Sequence, residues 1–135
     1  MVNNNNEIAQ LRAKLLDQAI TLGINANLKL DFSDSSISRV ENFLSQLHDE
    51  YIKTGNNEGL HGLAIILGFY IIEVIERNHC KGQLERNHTY FGENTFPFFW
   101  NNNTIFPVAW CQKRIFDGDA DNVETKYKAF IKERD

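Results

Sequence analysis

The run GLHGLAIILGFYIIEVI, residues 59–75, constrains this chain more than any other stretch. A membrane span needs about 20 apolar residues. This run has 17, carries His61 and Glu73, and is flanked by Glu58 and by Glu76-Arg77. A carboxylate near the middle of a span is costly. The run therefore reads as a buried helix over residues 59–77. At about 100° per residue, Leu60, Leu63, Leu67, Ile71, Val74 and Ile75 make one broad apolar face. Gly59, Gly62, Glu73 and Arg77 fall together on another side, with Ile66 among them. A helix apolar nearly all round belongs at the centre of a fold. Its glycines would let a neighbour come close.

What surrounds such a helix must come from the other residues. The chain has 135 residues, 42% of them apolar, with ten Phe, four Tyr and two Trp. One domain, residues 1–135, with one well-filled core is the expectation, and no staple is required at that size. The formal net charge is −4, with acidic and basic residues interspersed. The basic stripe that neutralises phosphates is missing, which argues against nucleic acid as a partner. Cys80 and Cys111 form no CxxC pair and no disulfide framework. The opening MVNNNNEIAQ lacks a basic segment followed by an apolar one. The expectation is a reducing, cytoplasmic setting without membrane association, in which the Asn-x-Thr triplets at Asn87 and Asn102 are not glycosylated.

Residues 1–6 should fray. Ile8, Leu11, Leu15, Ala19 and Leu22 then recur at helical steps, with Gly23 as a natural stop. Leu28, Leu30 and Phe32 alternate with Lys29 and Asp31, which fits a short extended stretch. Ser33 to Ser36 compete to cap a second helix. Its stripe is Ile37, Val40, Phe43 or Leu44, Leu47 and Tyr51, and Gly55 follows its end. The short loop after Gly55 predicts that this helix and the apolar one are antiparallel neighbours. Gln83–Tyr90 could be a strand, with Gly92-Glu93-Asn94 as a turn. Thr95–Trp100 and Thr104–Val108 are aromatic and β-branched, and Asn101-Asn102-Asn103 between them suits a hairpin loop. Pro97 and Pro107 suggest strand ends or edges. Helical patterning resumes from Val108 to Asp117-Gly118. A last helix opens near Asp119–Asn122, where Asp121 and Glu124 have capping-box spacing; Val123, Tyr127, Phe130 and Ile131 give it an apolar side. The fold class expected is α+β, about five helices packed on a small antiparallel sheet near residues 83–108.

One set of residues gives the second half a likeness. An apolar helix with Gly68 and Glu73 is followed by an aromatic hairpin, Pro107, the pair Lys113-Arg114, and Gly118 before a final helix. Over roughly residues 60–130 this resembles a loose group of small uncharacterised bacterial α+β domains of unknown function. Such domains often carry a Trp after the Gly that ends the apolar helix, where this chain reads Gly82-Gln83-Leu84. The resemblance implies the fold class and no activity.

Few residues invite chemistry. Glu73, set among Phe69, Ile71, Ile72 and Val74, is a general acid or base if its pKa is raised by burial, and a structural ion-pair member if Arg77 or Arg114 neutralises it. Lys113 and Arg114, beside Trp110, could contact an anion or simply pack and solvate. His48, His61, His79 and His88 with Cys80 and Cys111 lack metal-ligand spacing, so no metal is expected; His79-Cys80 reads as a frayed helix end. Cys111 reads as a small buried side chain. No Gly-rich phosphate loop or serine-nucleophile motif occurs, so no cofactor is expected and no residue is assigned a catalytic role. Phe96, Phe98, Phe99, Trp100, Phe106 and Trp110 are dense. Neighbours in a strand face opposite ways, so one face cannot hide Phe98, Phe99 and Trp100 together. The outward ones either form a recognition surface or meet a second covering layer. Two functions follow. One is a non-catalytic interaction module, binding a protein partner (in an immunity-like or regulatory setting) or a second copy of itself through Phe98, Trp100 and Trp110. The other is a small-ligand or enzymatic domain with a polar pocket around Glu73, Lys113 and Arg114, with Arg77 alongside.

Overall fold

The apolar helix, α3 (Leu60–Asn78), lies at the centre of the computed structural model, which describes residues 4–87 and 95–132. Leu67, Ile71, Ile72, Val74 and Ile75 are all fully buried on it. Gly59 at its N-cap has φ 78°, a left-handed turn that glycine enters without a Cβ clash. Before it come α1 (Asn4–Asn25) and α2 (Ser36–Thr54). After it come a three-stranded antiparallel sheet, α4 (Pro107–Asp117) and α5 (Val123–Tyr127), whose last turn widens over Lys128–Lys132. The α+β class stands, with five helices among the described residues.

Helix α4 packs closely on α3 across one glycine. A Cβ on Gly68 would sit 2.5 Å from Val108 Cα, so only glycine admits the first turn of α4 there. Gly62, on the side where close approach was expected, faces open space. The same helix α4 receives α2. The two helices joined by the Gly55 loop touch each other only lightly, and α2 packs chiefly on α4. The expected neighbours α2 and α3 do touch, but each packs chiefly on α4, a helix from later in the chain.

The sheet has the order β1 (Gln83–Leu84), β2 (Phe98–Trp100), β3 (Asn103–Ile105). Its hairpin closes on Trp100↔Asn103 with Asn101 at φ 49° and Asn102 at φ 64° between them. Two consecutive left-handed residues are the signature of a type I′ turn, whose twist matches that of the strands. Beyond β1 the ladder continues irregularly, with Glu85 N–H donating to Pro97 O at 3.0 Å and Asn87 N–H to Thr95 O at 3.1 Å. The expected turn at Gly92-Glu93-Asn94, with Tyr90 and His88, lies outside the described residues.

Several local expectations change. Helix α1 starts at Asn4, inside the segment expected to fray, and runs through Gly23 to Asn25. Gly23 sits in a tight place, where a Cβ would meet Leu28 O and the Leu30 side chain at 3.2 Å; Asn27, at φ 55°, makes the turn. Residues 28–32 form no strand. Pro107 opens α4 rather than ending a strand, where its missing N–H costs nothing. Asn122 caps α5 by accepting from Thr125 N–H at 2.9 Å, while Asp121 pairs with Lys126 at 3.2 Å.

Candidate functional site

Apart from the exposed Lys113, each sequence-nominated side chain has an internal partner or sits in the core. Glu73 Oε1 accepts from Arg77 Nε at 3.1 Å, and its Oε2 accepts from Arg12 Nη2 at 3.2 Å. Arg12 also binds Glu76 Oε1 at 2.6 Å, and Glu76 Oε2 accepts from Gly82 N–H at 3.0 Å. The cluster ties α1 to α3 and to the start of the sheet. The Arg77 guanidinium lies 3.8 Å over the Phe32 ring, which places a cation on an aromatic face.

Arg114 is elsewhere and is only 1% exposed. Its Nε donates to both oxygens of Glu41, at 3.1 and 2.9 Å, and its Nη2 to Asp119 at 2.9 Å. Glu41 also accepts Val123 N–H at 2.9 Å, so one buried carboxylate joins α2, α4 and α5. Lys113 is exposed. The pocket expected around Glu73, Lys113 and Arg114 is therefore corrected. Adjacent residues on a helix project about 100° apart, so Lys113 reaches water while Arg114 enters the α2–α4 seam. Local spacing could not have picked out Glu41 or Arg12, whose partners lie far along the chain. The only sequence hint was the placement of both charges beside apolar stripes.

The aromatic hairpin surface is corrected as well. Phe98 and Trp100 are 0% and 2% exposed, and Phe96 and Trp110 are also buried. Only Phe99 and Phe106 are half-exposed. The covering layer comes from several elements. Phe69 of α3 meets Phe96 edge-on at 5.2 Å, the Cys80 carbonyl accepts from Trp100 Nε1 at 2.8 Å, and Phe130 stacks on Trp110 at 5.9 Å.

His79 caps α3, and partners hold its side chain at what was expected to be a frayed helix end. Its Nε2 lies 2.9 Å from Asp34 Oδ1, and the Tyr127 hydroxyl donates to the same oxygen. A carboxylate only accepts, so the His79 ring carries its proton on Nε2. Burial pushes the Asp34 carboxyl up. The hydrogen bonds from Tyr127 and His79 and the nearby cations outweigh it and hold the group below its usual value. Next to this cluster Phe32 adopts φ 64°, which is unusual for a bulky residue. It is held there by Tyr70 Oη, which accepts Phe32 N–H at 2.9 Å, and by Asn78 Nδ2, which donates to Phe32 O at 2.7 Å.

Cys111 is fully buried, and burial pushes its thiol far up, so it is no nucleophile at neutral pH. His48 Nδ1 lies 2.7 Å from Ile115 O, and His61 packs on Phe116 at 4.8 Å. Among the described residues no three metal-capable side chains converge, and no helix is long and apolar enough to cross a membrane.

Among the described residues, concave surfaces occur at the hairpin tip around Asn101–Thr104 and at both ends of α1. An open groove between the end of α1 and the segment after it is lined by Ile20, Ile24, Leu28, Lys29 and Leu30. Ile24 is 75% exposed and Ile20 42%. A narrower cleft of about 190 Å³ lies between the start of α1 and β1, with Ile8, Leu11 and Leu84 among its lining residues. No family model, curated protein or solved structure matches the chain.

Proposed function

We propose that the chain is a non-catalytic interaction domain that engages a protein partner through the groove at the C-terminal end of α1. One observation carries this reading. Ile20 and Ile24 stand in solvent beside Leu28 and Leu30, and clustered open aliphatic surface is what interfaces bury. Glu73 and Arg114 belong to separate ion-pair clusters and Lys113 is exposed, so among the described residues the three line no shared pocket for the enzymatic alternative. The two free cysteines suit a reducing, cytoplasmic setting, in which the partner would be regulatory or immunity-like.

The test is a pair of variants, Ile20→Glu and Ile24→Glu, compared with the wild-type chain in a two-hybrid screen against a bacterial library. Light scattering after size exclusion is run alongside. Partners captured by the wild-type chain should be lost with Ile24→Glu while the melting curve is unchanged. A concentration-dependent dimer abolished by the same substitution would identify the partner as a second copy. Partners that persist with both variants would defeat the reading.

A further inference from the structure

The cleft at the other end of α1 is bordered by the strand edge of β1 that faces away from β2. In an antiparallel pair, residues that exchange main-chain hydrogen bonds alternate with residues that do not. Gln83 pairs Phe99, and the N–H groups of Glu85 and Asn87 donate across to Pro97 and Thr95. Leu84 and Arg86 are the intervening residues, so their N–H and C=O groups point away from β2. Among the described residues none bonds these outward groups. The first turns of α1 overhang this edge, with Glu7, Ile8 and Leu11 lining the cleft beside Leu84, Glu85 and Arg86.

The side chains along the edge alternate in chemistry. Leu84 is buried with the apolar layer, next to the half-buried Ile8 and Leu11. Arg86 shares that face and its guanidinium is drawn 5.7 Å over the Phe96 ring, away from its neighbour Glu85. On the opposite face stand Gln83 and Glu85, and Glu7 adds a second carboxylate at the cleft. A chain laid along this edge would place alternate residues on an apolar face and an acidic one.

We propose that this edge takes an extended peptide segment of alternating aliphatic and basic residues as an added strand. Main-chain bonds would go chiefly to the exposed Arg86, since Leu84 beside it is only 5% exposed. Aliphatic side chains would extend the Ile8–Leu11–Leu84 layer, and basic ones would face Glu85 and Glu7. This mode of recognition draws affinity from the backbone and selectivity from alternate side chains. The site is distinct from the Ile20–Leu30 groove and stands independently of it.

The probe is a fluorescein-labelled pentapeptide alternating valine and lysine, titrated into the full chain by anisotropy, with amide shifts read by NMR. Leu84 and Arg86 amides should move on binding. A copy of the peptide N-methylated on the edge-facing amides should bind about tenfold more weakly or worse, because it cannot donate to the strand. The double variant Glu7→Lys/Glu85→Lys should weaken the lysine peptide about tenfold and favour a glutamate-containing counterpart. Arg86→Pro removes one outward N–H without touching the ladder and should also weaken binding. If that variant fails to fold, the charge-reversal pair decides. Ile24→Glu should leave this binding unchanged, which separates the fate of the two surfaces. Equal binding of the N-methylated peptide overturns the proposal. So does absence of binding up to solubility, or amide shifts confined to the Ile20–Leu30 groove.

Discussion

Arg114 Nε sits between both carboxylate oxygens of Glu41, at 3.1 and 2.9 Å, with both side chains almost wholly out of water. The pair lies where α2, α4 and α5 meet, and Glu41 spends its remaining capacity on the Val123 N–H that starts α5. A buried ion pair of this kind is weak evidence of stabilisation, because removing both charges from water offsets their attraction. Removing one partner is another matter. Arg114→Met or Glu41→Leu should each cost about 3–5 kcal/mol, because a charge is left buried and alone. The double variant should recover a large part of that loss. Urea midpoints for the two single variants and the pair test the coupling; equal losses for all three would count against it.

Gly68 and Gly62 stand on the same helix with opposite surroundings. Gly68→Ala drives a methyl against the Val108 backbone, which cannot yield as a side-chain tip can. The cost expected is about 1–3 kcal/mol, with α4 displaced. Gly62 meets nothing within 4 Å. Gly62→Ala should stabilise by up to about 1 kcal/mol through helix propensity alone. Thermal melts of the two variants should therefore move in opposite directions.

The Asp34 carboxyl has a sign that can be tested. Its folded-state pKa lies below the ordinary value of 3.8, because hydrogen bonds from Tyr127 and His79 outweigh the effect of burial. A depressed carboxylate pKa contributes stability that is fully present above the unfolded value and is lost as pH falls through the folded one. The wild-type chain should thus lose stability progressively as pH drops below about 4. Asp34→Asn should be less stable at pH near 6 and show a shallower acid limb. Tyr127→Phe should shift the limb in the same sense. Urea midpoints collected across that acid range give the comparison.

How far the residues announced this structure differs from element to element. The α3 helix was legible because its apolar run is long and interrupted only by His61 and Glu73, which leaves few alternatives to a central helix. The hairpin was legible at Asn101-Asn102, since asparagine tolerates the left-handed conformation that a tight loop demands. The α2–α4 packing was not legible. It depends on Gly68 meeting Val108, a relation between residues that no periodicity connects. The same holds for Glu41 with Arg114 and for Arg12 with Glu73, pairs joined only once the chain has folded. The aromatic density was read correctly as too much for one strand face. Its covering layer drew on Phe69, Cys80 and Phe130, which lie in different elements.

The hairpin turn offers a further check on the left-handed pair. Asn102 has φ 64° and follows Asn101 at φ 49°. Asn-Gly is a favoured pair for such a turn, so Asn102→Gly should hold or slightly raise the melting temperature. Asn102→Ala should lower stability by about 1–2 kcal/mol, since alanine has neither the freedom of glycine nor the local hydrogen bonding of asparagine in that conformation. A null result for the alanine variant would mean the turn adopts another geometry in solution.

Trp100 and Ile24 separate core from surface. Trp100 is 2% exposed and its indole N–H is bonded to the Cys80 carbonyl. Trp100→Ala removes that packing and leaves the carbonyl without its donor, for an expected loss of about 3–5 kcal/mol. Any loss of partner binding by that variant would therefore report unfolding, and it is unsuited as a probe of recognition. Ile24, at 75% exposed, has the opposite profile. Ile24→Ser should change stability by no more than about 0.5 kcal/mol. If the α1 groove is the contact, it should still abolish association. Measuring melting temperature and partner binding on both variants distinguishes a folding defect from an interface defect. A stable Trp100→Ala, or an Ile24→Ser that binds as the wild-type chain does, would return the search to the half-exposed Phe99 and Phe106 of the hairpin.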